Sequence, residues 1–334
     1  MSHDLSIEAN GKAEMMYVGE MPWHGLGTRL TQPPTAAEAI RAAHLEWRVA
    51  KKQLYIGEEH RPLPGRYAIV REDRWARNEE SIFGTVGQDY RPLQNVDAFH
   101  FFDPIVGTGK AVYESAGALR SGQRVWVMAR LLDDIEITRR DTVARYLLLS
   151  NAHDATGSVQ VKFTPVRVVC QNTLNQALER GPAIRVAHTK EMQSRLSDAA
   201  DDVLATIQRH FDEIGDRFRS MLKIQMSEAN LHAYLNSVYG DPPRSTDEKQ
   251  FKRAVAQVKR DRLESARLFV EGKGNDFEGV RGTLWAAYNG VTEYVDFHRT
   301  AHTENKWLEN IWFGGANRIK VRALDEALSI THPN

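Results

Sequence analysis

The hydrophobic pattern changes period near residue 190. Before that point apolar residues alternate with polar ones, or run in short blocks bounded by glycine, proline and aspartate, as strands and turns require. After it they recur every three or four residues. Met192, Leu196, Ala199, Val203, Ile207, Phe211, Ile214, Phe218 and Met221 mark one face of a single long helix. About thirty such residues would span ~45 Å. This order predicts an α+β fold: a mainly antiparallel sheet with a β-β-β-α-type core, then a long helical C-terminal region. Three segments follow from it, 1–110, 111–190 and 191–334.

Local signals sharpen the reading. Thr35 and Glu38, just after Pro33 and Pro34, form a capping box for a helix of about ten residues. Strands are predicted over 47–56, 66–71 and 81–90, and Asn95 is expected to cap a short helix that Pro104 ends. The clearest unit is a hairpin, with arms 111–119 and 124–132 around the turn Arg120–Gln123. In its second arm Val125, Val127 and Ala129 face one way, and Arg124, Trp126, Met128 and Arg130 the other. Further strands are predicted over 142–150 and 159–169. Pro165 marks a bulge or an edge in the latter, because it has no N–H for the ladder. A helix over 171–180 and a short strand over 184–188 complete this part. Beyond the long helix, Ser227 is expected to cap a helix that stops at Gly240, and Ser245 with Glu248 to open another. The latter is predicted to bury Phe251, Val255, Val258, Leu263 and Phe269, and to end near Gly272. A last helix aligns Val280, Leu284, Ala287, Val291, Val295 and His298.

Composition narrows the function classes. The 334 residues carry 44 Lys+Arg against 44 Asp+Glu, which excludes binding of nucleic acid by bulk charge alone. A single cysteine, Cys170, rules out an intrachain disulfide framework and a cysteine-rich zinc site, and fits a reducing cytoplasm. No apolar run reaches the ~18 residues of a membrane span, and the polar first residues lack the features of a secretory leader, so a soluble cytoplasmic protein with no membrane contact is expected. The zero net charge is a sum of unlike parts. Residues 1–109 carry 12 basic and 15 acidic groups, 110–190 carry 12 and 7, and 191–334 carry 20 and 22. Only the strand-rich middle is positive, and local potential sets the attraction for a polyanion.

Enzyme readings are thin. Trp23-His24-Gly25-Leu26-Gly27 lacks the second half of a dinucleotide fingerprint and the Lys-Ser/Thr of a phosphate loop, so a structural turn is expected there. His298 and His302 share a helix face, but two histidines fall short of a metal site. Asp154 and Lys162 resemble fragments of a Mg²⁺-dependent nuclease, in which carboxylates hold the metal and a lysine steadies the attacking water; the usual second carboxylate is Gln160 here. Cys170 is expected to be a core residue, since a nucleophile needs a nearby base. The binding reading uses more of the sequence. Arg120, Arg124, Arg130, Arg145, Lys162 and Arg167 would meet phosphates and Trp126 would stack on a base. The competing reading packs Trp126 under the C-terminal helices and pairs the arginines with Asp133, Asp134, Glu136 and Asp141.

Four blocks carry a family resemblance: 21–27 (MPWHGLG), 148–154 (LLSNAHD), 163–174 (FTPVRVVCQNTL) and 283–296 (TLWAAYNGVTEYVD). Together they resemble the phage/plasmid-like family of unknown function, whose members lie on prophages, phages and plasmids. The resemblance implies a mobile-element setting in a bacterial host cytoplasm and supplies no catalytic residue. A looser, fold-level analogy links the strands and helix of 124–180 to single-strand annealing recombinases, which assemble into rings or filaments on DNA. The expectation is a non-enzymatic protein that binds and anneals single-stranded DNA as a homo-oligomer, without a cofactor. The alternatives are a Mg²⁺-dependent nuclease using Asp154 and Lys162, or a protein that engages a host factor through the Met192–Met221 stripe.

Overall fold

The computed structural model describes residues 4–22, 24–139, 141–164, 183–242, 247–299 and 315–331. The predicted helix 171–180, Arg167, Cys170, Trp23, Arg140, Ser245 and His302 lie outside them. The fold is mixed α+β, with mostly antiparallel sheets followed by helices. It divides into two compact units.

The first unit holds residues up to 134 together with 144–210. Its centre is a seven-stranded sheet of β1 (Met15–Val18), β2 (Thr28–Leu30), β6 (Ala111–Leu119), β7 (Arg124–Leu131), β10 (Tyr146–Ala152), β11 (Val159–Thr164) and β12 (Ala183–Val186). The order is β12-β11-β10-β7-β6-β1-β2, and only the β1–β2 pair is parallel. A three-stranded antiparallel sheet of β3 (Val49–Ile56), β4 (Arg61–Arg71) and β5 (Ile82–Gly87) joins it in the unit. Strands before residue 110 thus share one sheet with strands after it, because β1 pairs with β6. The hairpin forms with a 3₁₀ turn at Arg120–Gly122, where Arg120 and Ser121 take positive φ of 50° and 61°.

Helix α1 (Ala36–Ala42) carries the expected capping box: the Glu38 N–H donates to Thr35 Oγ1, and the Thr35 N–H to the Glu38 carboxylate. A five-residue helix α2 (Glu72–Ala76) fills the polar stretch between β4 and β5. The helix at Asn95 differs from expectation. Gln94 is its cap residue, and Asn95 instead donates to the carbonyls of Leu45 and Trp47. Pro104 does not stop the chain but opens α4 (Asp103–Gly107) directly after α3 (Asn95–His100), since a first-turn proline gives up no helical hydrogen bond. Strand β11 has neighbours on both sides through Lys162, pairs only with β10 at Phe163 and Thr164, and β12 takes the edge, while Pro165 lies outside the described residues.

The face of Val125, Val127 and Ala129 continues through Leu147, Leu149 and Val161, all buried. Tyr113 in the same face donates to the Phe99 carbonyl and to Asp103, tying α3 and α4 to this side. On the other face Trp126 lies across Gly117 of β6, so that a Cβ there would stand 2.3 Å from Trp126 Cη2. Gly117→Val is therefore expected to overpack the sheet and cost about 1–3 kcal/mol. A lowered denaturation midpoint would show this, and an unchanged one would contradict the packing.

The second unit holds 135–143 and residues from 211 on. A two-stranded ribbon, β8 (Ile135–Thr138) and β9 (Asp141–Val143), splits what the sequence presented as one strand over 142–150. Helix α5 (Met192–Leu222) runs the full length of the predicted stripe. Met192, Leu196, Ala199, Val203, Phe218 and Met221 are buried within this chain, which removes most of the motive for a host-factor surface there. Ser227 caps α6 (Glu228–Tyr239) as expected. Asp247, rather than Ser245, accepts the first N–H groups of α7 (Glu248–Glu271). The buried side of α7 is also a correction: Asp261, Ser265 and Leu268 face inward, whereas Leu263 is 68% exposed. Asp261 accepts from Tyr294, Arg299 and Gln257, so a polar residue occupies the inner face at no unpaired cost. Helix α8 (Leu284–Glu293), capped by Thr283, passes into a π-helical turn Tyr294–His298, and α9 (Gly315–Thr331) ends the described chain.

Candidate nucleic-acid interface

Cross-strand register decides which cations share a face. Trp126 of β7 lies opposite Ser150 of β10, Ser150 opposite Gln160 of β11, and Gln160 opposite Arg185 of β12. In the next row Met128 meets Leu148, and Leu148 meets Lys162. Arg124 pairs with Ala152 and Arg130 with Tyr146 at the two ends of β7. Because side chains alternate along a strand, Arg124, Arg130, Lys162 and Arg185 all belong to one face, opposite the aliphatic one.

Their exposure differs. Arg185 is exposed, Arg124 and Arg130 are half-buried, and Lys162 is buried. Burial lowers the pKa of the Arg124 guanidinium, and the Asp154 carboxylate works in the opposite sense. Arg130 forms a forked pair with Asp134 at 3.1 and 3.2 Å. Arg145 is buried against Asp133, bonding both its carbonyl and its carboxylate. Arg120 stands on the hairpin turn, half exposed, 3.5 Å from Asp4.

Two expectations are corrected. Trp126 is wholly buried, and its Nε1–H donates to Ser115 Oγ at 3.3 Å, so it is core and not a stacking platform. Arg130 and Arg145 do pair with Asp134 and Asp133, as the competing reading had it, and Arg120 pairs with Asp4. Asp154 and Lys162 are not neighbours: Lys162 is level with Leu148, while Asp154 lies beyond Ala152, which puts roughly 13 Å or more along the strand between them. Asp154 instead accepts from the Thr156 N–H and hydroxyl within its own loop. Among the described residues no three His, Cys, Asp or Glu side chains gather to hold a metal. Among the described residues, therefore, the nuclease constellation is not assembled. His298, on the π-helical turn, lies 3.8 Å from Glu293; the Gly25 N–H donates to the Pro22 carbonyl and the Leu26 N–H to His24 Nδ1.

An aromatic pair that the sequence did not reveal lies beside Asp154. Tyr90 and His188 stack at 4.6 Å with 24° between their planes. They line a shallow groove of about 450 Å³ together with Thr156, Gly157, Ser158 and Thr189. The His188 Nδ1–H donates to the Arg91 carbonyl at 3.0 Å, which leaves Nε2 as an acceptor; Nε2 is buried and unpartnered among the described residues. Burial lowers the His188 pKa, so the ring stays neutral. The same cause, helped by Asp154, raises that of Tyr90. Arg91, next to Tyr90 in the chain, is exposed, and its Nη1 donates to the Gln88 and Tyr90 carbonyls. The arrangement offers a flat half-buried ring, hydroxyls and flanking arginines.

A family model for a domain of unknown function, DUF932, matches residues 82–312. The chain belongs to the DUF932 family. The DUF932 match begins at β5 and takes in the hairpin, the rest of the cationic face and α5 to α8. No curated protein and no solved structure matches the chain. Among the described residues of this DUF932 chain, no helix is long and apolar enough to cross a membrane. Of the residues absent from the sequence reading, Arg185 was within reach by carrying the alternation of β11 into β12. Tyr90 and His188 carried no local signal, since they meet only through the fold.

Proposed function

We propose that this protein binds single-stranded DNA in phage or plasmid DNA metabolism, as an annealing-type homo-oligomer in homologous recombination. The observation that carries the reading is the gathering of Arg124, Arg130, Lys162 and Arg185 on one face of the seven-stranded sheet. The middle of that face is buried, so phosphates meet it at its margins, through Arg124 at one end of β7 and Arg185 on the edge strand β12, with Arg120 on the hairpin turn. Stacking passes from Trp126 to Tyr90, whose ring is half-buried against His188 and able to offer its other side to a base. The phage/plasmid-like resemblance supplies the setting, and the DUF932 match adds no activity to it.

Fluorescence anisotropy with a labelled single strand tests the reading. The double variant Arg124→Gln/Arg185→Gln should bind more weakly, and its log–log salt slope should flatten by roughly 0.7 per lost phosphate contact. Tyr90→Leu should weaken binding with the slope unchanged, by about 1–3 kcal/mol if one base stacks there. Wild-type affinity and slope in the double variant would remove the sheet face from the interface.

A further inference from the structure

Helix α7 carries a second cationic surface that the sheet-based reading leaves unused. Its exposed positions after the first turn are Lys252, Arg253, Ala256, Lys259, Arg260, Leu263, Arg267 and Val270, with Glu271 at the end. At 3.6 residues per turn, the first eight of these and Lys249 fall within an arc of about 120°. Between Glu248 and Arg260 the helix bears five cations, Lys249, Lys252, Arg253, Lys259 and Arg260, against one acid, Glu248. Lys252 is paired with Glu248, and Arg267 with Glu264 and Glu271. Among the described residues, Lys249, Arg253, Lys259 and Arg260 have no carboxylate at ion-pair distance.

We infer that this face of α7 contacts the phosphate backbone of the nucleic acid, an inference that rests on the function proposed above. Lys249, Arg253 and Arg260 lie nearly in line along the helix and span ~16 Å of its axis, so they form a row and not a converging pocket. A row fits an extended polyanion better than a single phosphate. The inner side of α7 is occupied from Asp261 on: Leu268 and Ser265 are buried, and Asp261 is bonded to Tyr294 and Arg299, while Val255 and Val258 nearer the N-terminus are half-buried. An interfacial membrane helix needs its apolar side for lipid, whereas the outer arc of α7 is charge with Leu263 and Val270 beside it, and its one other exposed large apolar residue, Phe251, stands on the opposite side. Phe251 falls on the side of the helix opposite Lys249, Arg253 and Arg260, so the cationic row itself holds no aromatic anchor on which a protein–protein contact would centre. Counterion release from a chain of phosphates is the remaining source of binding energy for such a surface.

The test is anisotropy with a labelled single strand on the full chain, in three forms: wild type, Lys249→Gln/Arg253→Gln/Arg260→Gln, and Arg124→Gln/Arg185→Gln. Vesicles of phosphatidylserine in phosphatidylcholine serve as a second probe. The three α7 side chains are exposed, and an unchanged melting temperature would verify that the triple variant folds. The expected result is at least a tenfold loss of affinity at low salt, with the salt slope smaller by roughly 0.7 for each phosphate contact removed. Wild type that binds DNA while the triple variant binds equally well overturns the inference and leaves the proposed function standing. Wild type that binds no DNA overturns both. Vesicle binding that the triple variant loses, without DNA binding by wild type, assigns the face to anionic lipid instead.

Discussion

Arg71→Ala is expected to cost about 3–5 kcal/mol of folding stability, because it strands the Glu14 carboxylate in the interior. Both side chains are buried, at 1% and 0% exposure. The guanidinium holds Glu14 through two nitrogens, with Nη1 at 2.9 Å from Oε2, and its Nε–H donates to Asp73 at 2.8 Å. It also lies 4.3 Å from the centre of the Trp47 ring. Burial works against its charge, yet the two carboxylates outweigh that and raise its pKa. Asp73 shows the converse: burial opposes its charge, and the bonds from Arg71 prevail and lower its pKa. Denaturant unfolding checks the loss. The double variant Glu14→Leu/Arg71→Met should recover much of it, because replacing a buried pair with apolar groups removes the stranded charge. A single variant that loses under ~1 kcal/mol would show that the interior pair is not held as described.

Acid should destabilise the first unit through His153. Its ring is fully buried, stacked on Phe83 at 6.0 Å and bonded to Asn95 Oδ1 at 3.1 Å. Burial, with smaller effects from His188 and Arg71, pushes its pKa down to about 3. An unfolded histidine titrates near ~6.5, so between those values the unfolded chain binds a proton that the folded chain refuses. Stability is therefore fully present above pH ~6.5 and falls by about 1.4 kcal/mol per unit as pH drops toward ~3. Acidifying from pH ~6.5 to ~4.5 should cost roughly 3 kcal/mol through this residue. His188, whose pKa burial also lowers, adds a loss of the same sign. Unfolding free energies of wild type and His153→Gln, compared across that range, should converge as pH falls. A constant gap between them would mean that the ring is protonated in the folded chain.

Local chemistry made much of the fold legible. The Thr35–Glu38 box, the Ser227 cap, the 111–131 hairpin and the length of α5 all rest on residues within a few positions of one another. The facing of β7 was legible too, because alternation alone puts Arg124, Trp126 and Arg130 on one side. What alternation cannot say is whether that side is covered, and so it cannot tell a surface ring at Trp126 from the core residue that Trp126 is. The same gap explains α7. Its inner face carries Asp261 and Ser265, and an apolar stripe cannot anticipate a buried carboxylate satisfied by Tyr294 and Arg299 far along the chain. Glu14 with Arg71, and Tyr90 with His188, are likewise pairs that only the folded sheet brings together.

The most direct test of nucleic-acid binding is the light-scattering mass of the full chain, with and without a ~40-nucleotide single strand, at low and moderate salt, where phosphate contacts respond most. The account predicts a multimeric species whose mass rises with DNA and falls back as salt increases. A monomer whose mass ignores the strand at low salt would contradict it.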